Sequence, residues 1–206
     1  MAMADTDAKT TLHRYLQTGR DAVVWKLDGL SEYDIRRPLV PTGTNLLGLV
    51  KHLTFVELGY FGETFDRPSG EPSPWLDEAP EDNVDMWATP DETREDIVGR
   101  YRRACAHADA TIDALGLEAS GRVPWWGAEV TLHQILVHVV AETHRHAGHA
   151  DIVRELVDGS AGYMATDDNL PAADATWWSA YYDRVEQAAR DGAAGESTDG
   201  SSAPLP

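Results

Sequence analysis

The chain has 206 residues, a formal charge of −18 and a single cysteine, Cys105. That length suits one domain plus a tail and buries a core without disulfide or metal staples, while the acidity argues against nucleic acid or an anionic membrane as a partner. One cysteine leaves no internal disulfide and fits a reducing compartment; with no signal-peptide pattern over 1–11 and no apolar run of membrane-spanning length, a cytoplasmic location is expected.

Leu12, Leu16, Val23, Val24 and Leu27 recur at three- and four-residue spacing and predict an amphipathic first helix over 7–28, ending near Gly29. Two prolines and a glycine in 31–44 read as a connection, after which Thr44 or Asn45 caps a largely buried second helix over 46–65. His52 lies within that helix, with Gly59 and Glu63 on the same face, and Gly59 would leave room for a bound species. Pro68, Pro72, Pro74 and Pro80 mark a long irregular segment over 66–88, of the kind that often covers a site. Thr89, Pro90 and Glu92 supply an N-cap, a first-turn proline and a capping-box acid for a third helix reaching Leu115. Thr131 caps a fourth, histidine-rich helix with Gly159 just past its end, and 174–190 forms a short fifth. Residues 191–206 have the polar, Gly/Ser-rich composition of a disordered acidic tail. No alternating strand pattern is visible, so the expected fold is all-α: an antiparallel four-helix bundle with a short additional C-terminal helix, one domain over 1–190.

Five of the eight histidines fall in the run 133–149. At 100° per residue, His138, Glu142, His146 and His149 share a stripe roughly 80° wide, while His133 and His144 point to the far side. A helix that buries such a stripe must supply hydrogen-bond partners or a cation. Glu142 and His146 project from successive turns and can meet at one cation, as in the HExxH zinc motif. His138 with Glu142, and His146 with His149, are alternative pairs. Two ligands from one helix leave a site incomplete, and His52 is the natural third, giving a His, Glu, His set with coordination positions left open. Imidazole plus carboxylate suits zinc, nickel, iron or manganese. Trp125, Trp126, Trp177 and Trp178 are expected in the core on bulk, with closing a substrate pocket as the alternative; Cys105 is expected to be packing, and Arg145 and Asp151 to be surface salt-bridge groups.

The motifs NLLGLVKHL and, some ninety residues later, LVHVVAETHRHAGHADIVREL resemble the DinB-like helical-bundle superfamily. They are most similar to its actinobacterial DinB branch, related to mycothiol-dependent maleylpyruvate isomerase and the bacillithiol transferases. The resemblance spans about 7–190. It implies a four-helix bundle holding a divalent metal, most often zinc or nickel, with one histidine from the second helix and a His/Glu-x-x-x-His pair from a later one. Position by position, these fall on His52, Glu142 and His146; many members have histidine at the position of Glu142, while the isomerase pattern uses glutamate. His149 matches a position where relatives often have glutamine beside the ligand, which puts it, with Glu63, around the metal or in the substrate pocket, and His138 orients a ligand.

The implied function is activation of a low-molecular-weight, mycothiol-like thiol for transfer to, or isomerisation of, a small electrophile, without a protein nucleophile. The partners are that thiol and the electrophile, and family habit with apolar bundle faces suggests a homodimer. The alternatives are a metal- or small-molecule-binding stress protein without turnover, and a metal-dependent hydrolase with Glu63 or His149 as base. A di-iron bundle needs about four inward carboxylates, more than Glu142 and Glu63 supply.

Overall fold

The computed structural model describes residues 7–72 and 82–196, with side chains to 193. The first six residues, the stretch 73–81 with Pro74 and Pro80, and residues 197–206 of the expected tail lie outside the described residues, whereas 191–196, expected to begin that tail, are helical. The chain divides into two compact units, Met1–Asp168 and Asn169–Pro206, a division inside the span expected to be one domain.

Helix α1, Ala8–Trp25, starts where the Asp7 carboxylate accepts from the Thr10 amide, and buries Leu16, Ala22 and Val23. The expected connection contains a further helix, α2, Glu32–Arg36, capped by Ser31 and anchored by buried Ile35. Asn45 then caps α3, Leu46–Glu57, its side chain accepting from the Gly48 amide. Every residue of α3 is buried except His52. The second helix was expected to run unbroken to 65; instead it passes into a π turn, Leu58–Gly62, and a 3-10 turn, Glu63–Phe65, closed by Asp66 in the left-handed region. Such a widened turn shifts the phase of every side chain that follows.

Helix α4, Arg94–Ala114, is capped by Thr93, with acids Glu95 and Asp96 in its first turn. The expected cap at Thr89 is displaced by four residues. Glu92 does reach back to the Thr89 amide at 2.8 Å, but this closes a turn before the helix, because Glu92 is also held by Lys51 Nζ at 2.8 Å. Residues 116–131, which show no strand periodicity, contain an antiparallel hairpin: β1, Ser120–Val123, pairs with β2, Ala128–Thr131, Val123 opposite Ala128. Helix α5, Leu132–Asp158, follows from β2 directly; Thr131 caps it reciprocally with Gln134, and Gly159 at φ 77° ends it.

Within the first unit α1 packs along α5, and α3 along both α4 and α5, around a core that includes Leu16, Leu49, Leu53, Ile112, Leu136 and Val139. Two buried cations join the helices. Arg20 of α1 is 2% exposed and makes two bonds to Glu57 of α3, at 2.8 and 2.7 Å, and one to Asp109 of α4 at 2.6 Å. Lys26, just past α1, pairs with Asp151 of α5 at 2.6 Å, so Asp151 does serve as a salt-bridge group.

The second unit carries α6, Ala175–Glu196, which is 22 residues long and not short as expected. Asp174 accepts from the Trp177 amide at its start, and Trp177 stacks on Tyr181 one turn on. Six α-helices and one two-stranded sheet among the described residues make the protein mostly helical.

Candidate metal centre

The partly exposed imidazole of α3 faces the histidine-rich stripe of α5. One ligand atom each from His52, Glu142 and His146 lie within 4.8 Å of one another. Glu142 Oε1 sits between the rings, 2.9 Å from His146 Nε2 and 3.5 Å from His52 Nε2, and the two imidazoles meet edge to face with centroids 4.8 Å apart.

The second nitrogen of each ring is engaged elsewhere. His52 Nδ1 donates to Asp85 Oδ2 at 2.5 Å, a partner the sequence offered no way to choose. With that proton committed, Nε2 is the ring nitrogen turned toward Glu142. His146 Nδ1 lies 3.4 Å from Nδ1 of His149. His149 is thus behind a ring of the cluster and not within it.

Electrostatics favour ligand forms. Burial pushes the Glu142 carboxyl up, but the charge and hydrogen bond of His146, followed by those of His52, outweigh it and hold Glu142 below the ordinary carboxylate range. His146 is shifted down by burial and by the neighbouring His52, against the pull of Glu142. Asp85 is likewise lowered: burial opposes ionisation, and the bond from His52 prevails. A carboxylate and two imidazole nitrogens meeting in this space are donors suited to a divalent cation, and spacings of 2.9 and 3.5 Å about Glu142 fit bonds of about 2.0–2.2 Å to a common ion. The residues therefore fit the metal that the resemblance implies.

Asp85 reaches His52 because its segment is fastened to α3. Asn45 Nδ2 and Lys51 Nζ donate to the carbonyls of Met86 and Trp87, at 3.0 and 2.9 Å. Gly48 makes this approach possible, since a Cβ there would collide with the Met86 carbonyl. The described end of the proline-rich connection does lie against the site.

Other expected residues fall elsewhere. Glu63 is not brought to the cluster: the π turn breaks the helical phase that aligned it with His52, and it lines an open cavity of about 370 Å³ with Phe65, Ser120 and Arg122. The space beside Gly59 is taken by the Trp125 indole, 2.9 Å from where a Cβ would stand. Trp125 and Trp126 are not core residues; they are 49% and 45% exposed. His138 packs against Tyr60 and Trp126, with centroids at 4.6 and 4.9 Å. His133 is exposed, and His144 bonds the Tyr15 carbonyl at 3.0 Å. Burial drives the Cys105 thiol well above its ordinary value, which leaves it protonated and unsuited to nucleophilic attack.

A mostly helical fold with two histidines and a glutamate gathered between neighbouring helices defines the class, a DinB-like protein with a candidate metal centre. The chain belongs to the mycothiol-S-transferase family, whose model matches residues 11–159. The match contains all three residues of the cluster and stops where α5 ends. No curated protein matches the chain significantly. Among the described residues no helix is long and apolar enough to cross a membrane.

Proposed function

We propose that the protein transfers a mycothiol-like thiol to a small electrophile at a divalent metal, zinc or nickel, held by His52, Glu142 and His146. The observation that carries this reading is the meeting of three donor atoms within 4.8 Å in a member of a thiol-transferase family. A divalent ion at such a site lowers the pKa of a bound thiol, so that the thiolate exists at neutral pH.

The chain's own residues prepare that chemistry. Asp85 keeps the His52 proton on Nδ1 and so keeps Nε2 available; Glu142 stays ionised; His149 accepts from or donates to His146 Nδ1 and fixes that ring. In transfer, the thiolate sulfur forms a bond to the electrophilic carbon, and the leaving group departs with the electron pair of the broken bond. With Cys105 protonated, the sulfur nucleophile is the cofactor's. In this reading α1, α3, α4 and α5 are the antiparallel four-helix bundle, the domain extends over 1–190, and the protein works in the cytoplasm as a homodimer.

Elemental analysis of the purified protein beside His52→Ala tests the site: about one metal per chain is expected in the first, and little in the variant. Metal content unchanged by the substitution would remove the three-residue centre. Turnover of an electrophile that requires added mycothiol supports transfer, whereas ester or amide cleavage without thiol would select a hydrolase.

A further inference from the structure

We infer that Tyr60, Trp125, Trp126 and His138 form the wall that receives the electrophile, and that this electrophile is a neutral, planar, electron-poor aromatic molecule. The inference rests on the thiol-transfer reading for the word electrophile, but the ring site stands on its own geometry.

Trp125 and Trp126 occupy the turn of the hairpin. The turn is fixed by Gly127 at φ 64° and by bonds from the Trp126 and Gly127 amides to the Val123 carbonyl, at 3.2 and 3.0 Å. Core indoles are almost wholly enclosed, yet these two leave 49% and 45% exposed. They are nevertheless held by ring contacts. Tyr60 lies 5.1 Å from Trp125 and 5.4 Å from Trp126, and His138 meets Trp126 at 90°. The Trp125 indole N–H donates to the Tyr60 hydroxyl at 3.4 Å, and the bare backbone of Gly59 lets the indole lie against the π turn. The result is a positioned aromatic surface with two partly open indoles.

Its location links it to the candidate centre. His138 stands four residues, about 6 Å of rise, before Glu142 on α5. Glu142 also acts electrostatically on Tyr60, whose hydroxyl is raised by burial first, and by that carboxylate in addition. A molecule resting on the rings therefore extends toward Glu142. The carboxylates there, Glu142 and Asp85, cancel the charge of a divalent ion held beside them and leave no net positive field to draw an anionic occupant. Electron-rich indole faces favour an electron-poor ring, and ring electron deficiency is also what makes an aromatic carbon open to attack by a thiolate.

The test uses the full-length zinc-loaded protein and 2,4-dinitroaniline, a ring of this kind without a reactive leaving group, in equilibrium dialysis. Saturable binding is expected, weakened about fivefold by Trp126→Ala and by Trp125→Ala, with zinc content and circular dichroism unchanged. Trp126→Phe restores most of the affinity, which separates loss of the ring from misfolding. His52→Ala loses zinc but keeps dinitroaniline binding. No saturable binding, or equal binding by wild type and Trp126→Ala, overturns the inference. With 1-chloro-2,4-dinitrobenzene and mycothiol, absent turnover alongside intact dinitroaniline binding counts against the transfer reading alone; turnover with KM unchanged in Trp126→Ala counts against the ring wall alone.

Discussion

His52 owes its orientation to a residue 33 positions away: the Asp85 carboxylate that takes its Nδ1 proton. Carboxylates behind a ligating imidazole set the tautomer and raise ligand basicity, and their loss costs roughly 10- to 100-fold in metal affinity. Asp85→Ala is expected to weaken zinc binding within that range, measured by competition with a chromophoric chelator, and Asp85→Asn, which still accepts the proton's bond, should lose less. Equal affinities in all three proteins would deny Asp85 this role. The His, Glu, His set was legible because α-helical spacing puts Glu142 and His146 on one face and the family motif points to His52. Asp85 was not, because a loop residue has no periodicity and its partner is chosen only by the path of the chain. Arg20 is a second residue whose meaning is tertiary. Arg20→Met leaves Glu57 buried without its cation and should cost about 3–5 kcal/mol in chemical denaturation, much of it regained when Glu57→Leu is added.

Among the elements, α3 does most to build the site, because its near-complete burial leaves His52 as the one side chain turned partly outward. Its Asn45 cap was readable from sequence, as were the Thr131 cap and Gly159 stop of α5, since capping is local chemistry. The π turn after α3 was not readable, nor was the hairpin, whose four-residue strands are too short for alternation to register. The Thr89 signal was real chemistry at the wrong boundary: Thr93 with Asp96 makes the same kind of cap four residues on. Fastening of residues 82–92 to α3 depends on close approach at Gly48. Gly48→Ala is therefore expected to destabilise the protein by about 1–3 kcal/mol, as overpacking does, and to reduce zinc affinity without touching a ligand. A variant with normal zinc affinity would show that Asp85 can hold His52 without that fastening.

For the whole molecule, the proposed metal binding would be linked to folding, because the donors come from α3 and α5, about ninety residues apart in sequence, and meet only in the folded chain. Free zinc at 100 times its Kd should add about 2.7 kcal/mol to stability. The expected observation is a rise in Tm on adding zinc, reversed by chelator and absent in His52→Ala. An equal rise in that variant would mean that zinc acts elsewhere. The net charge of −18 disfavours the approach of anionic ligands.

Sequence alone determined the helical character, the principal caps and the three residues of the cluster, because periodicity, capping and short motifs act over a few residues. Tertiary structure decided which side chains stand around them. It brought Asp85 to His52 and left His149 behind His146, took Glu63 out of register through the π turn, and set two tryptophans half-open against Tyr60. Each of these depends on how separate elements pack, and packing is a property of surfaces that no local pattern records.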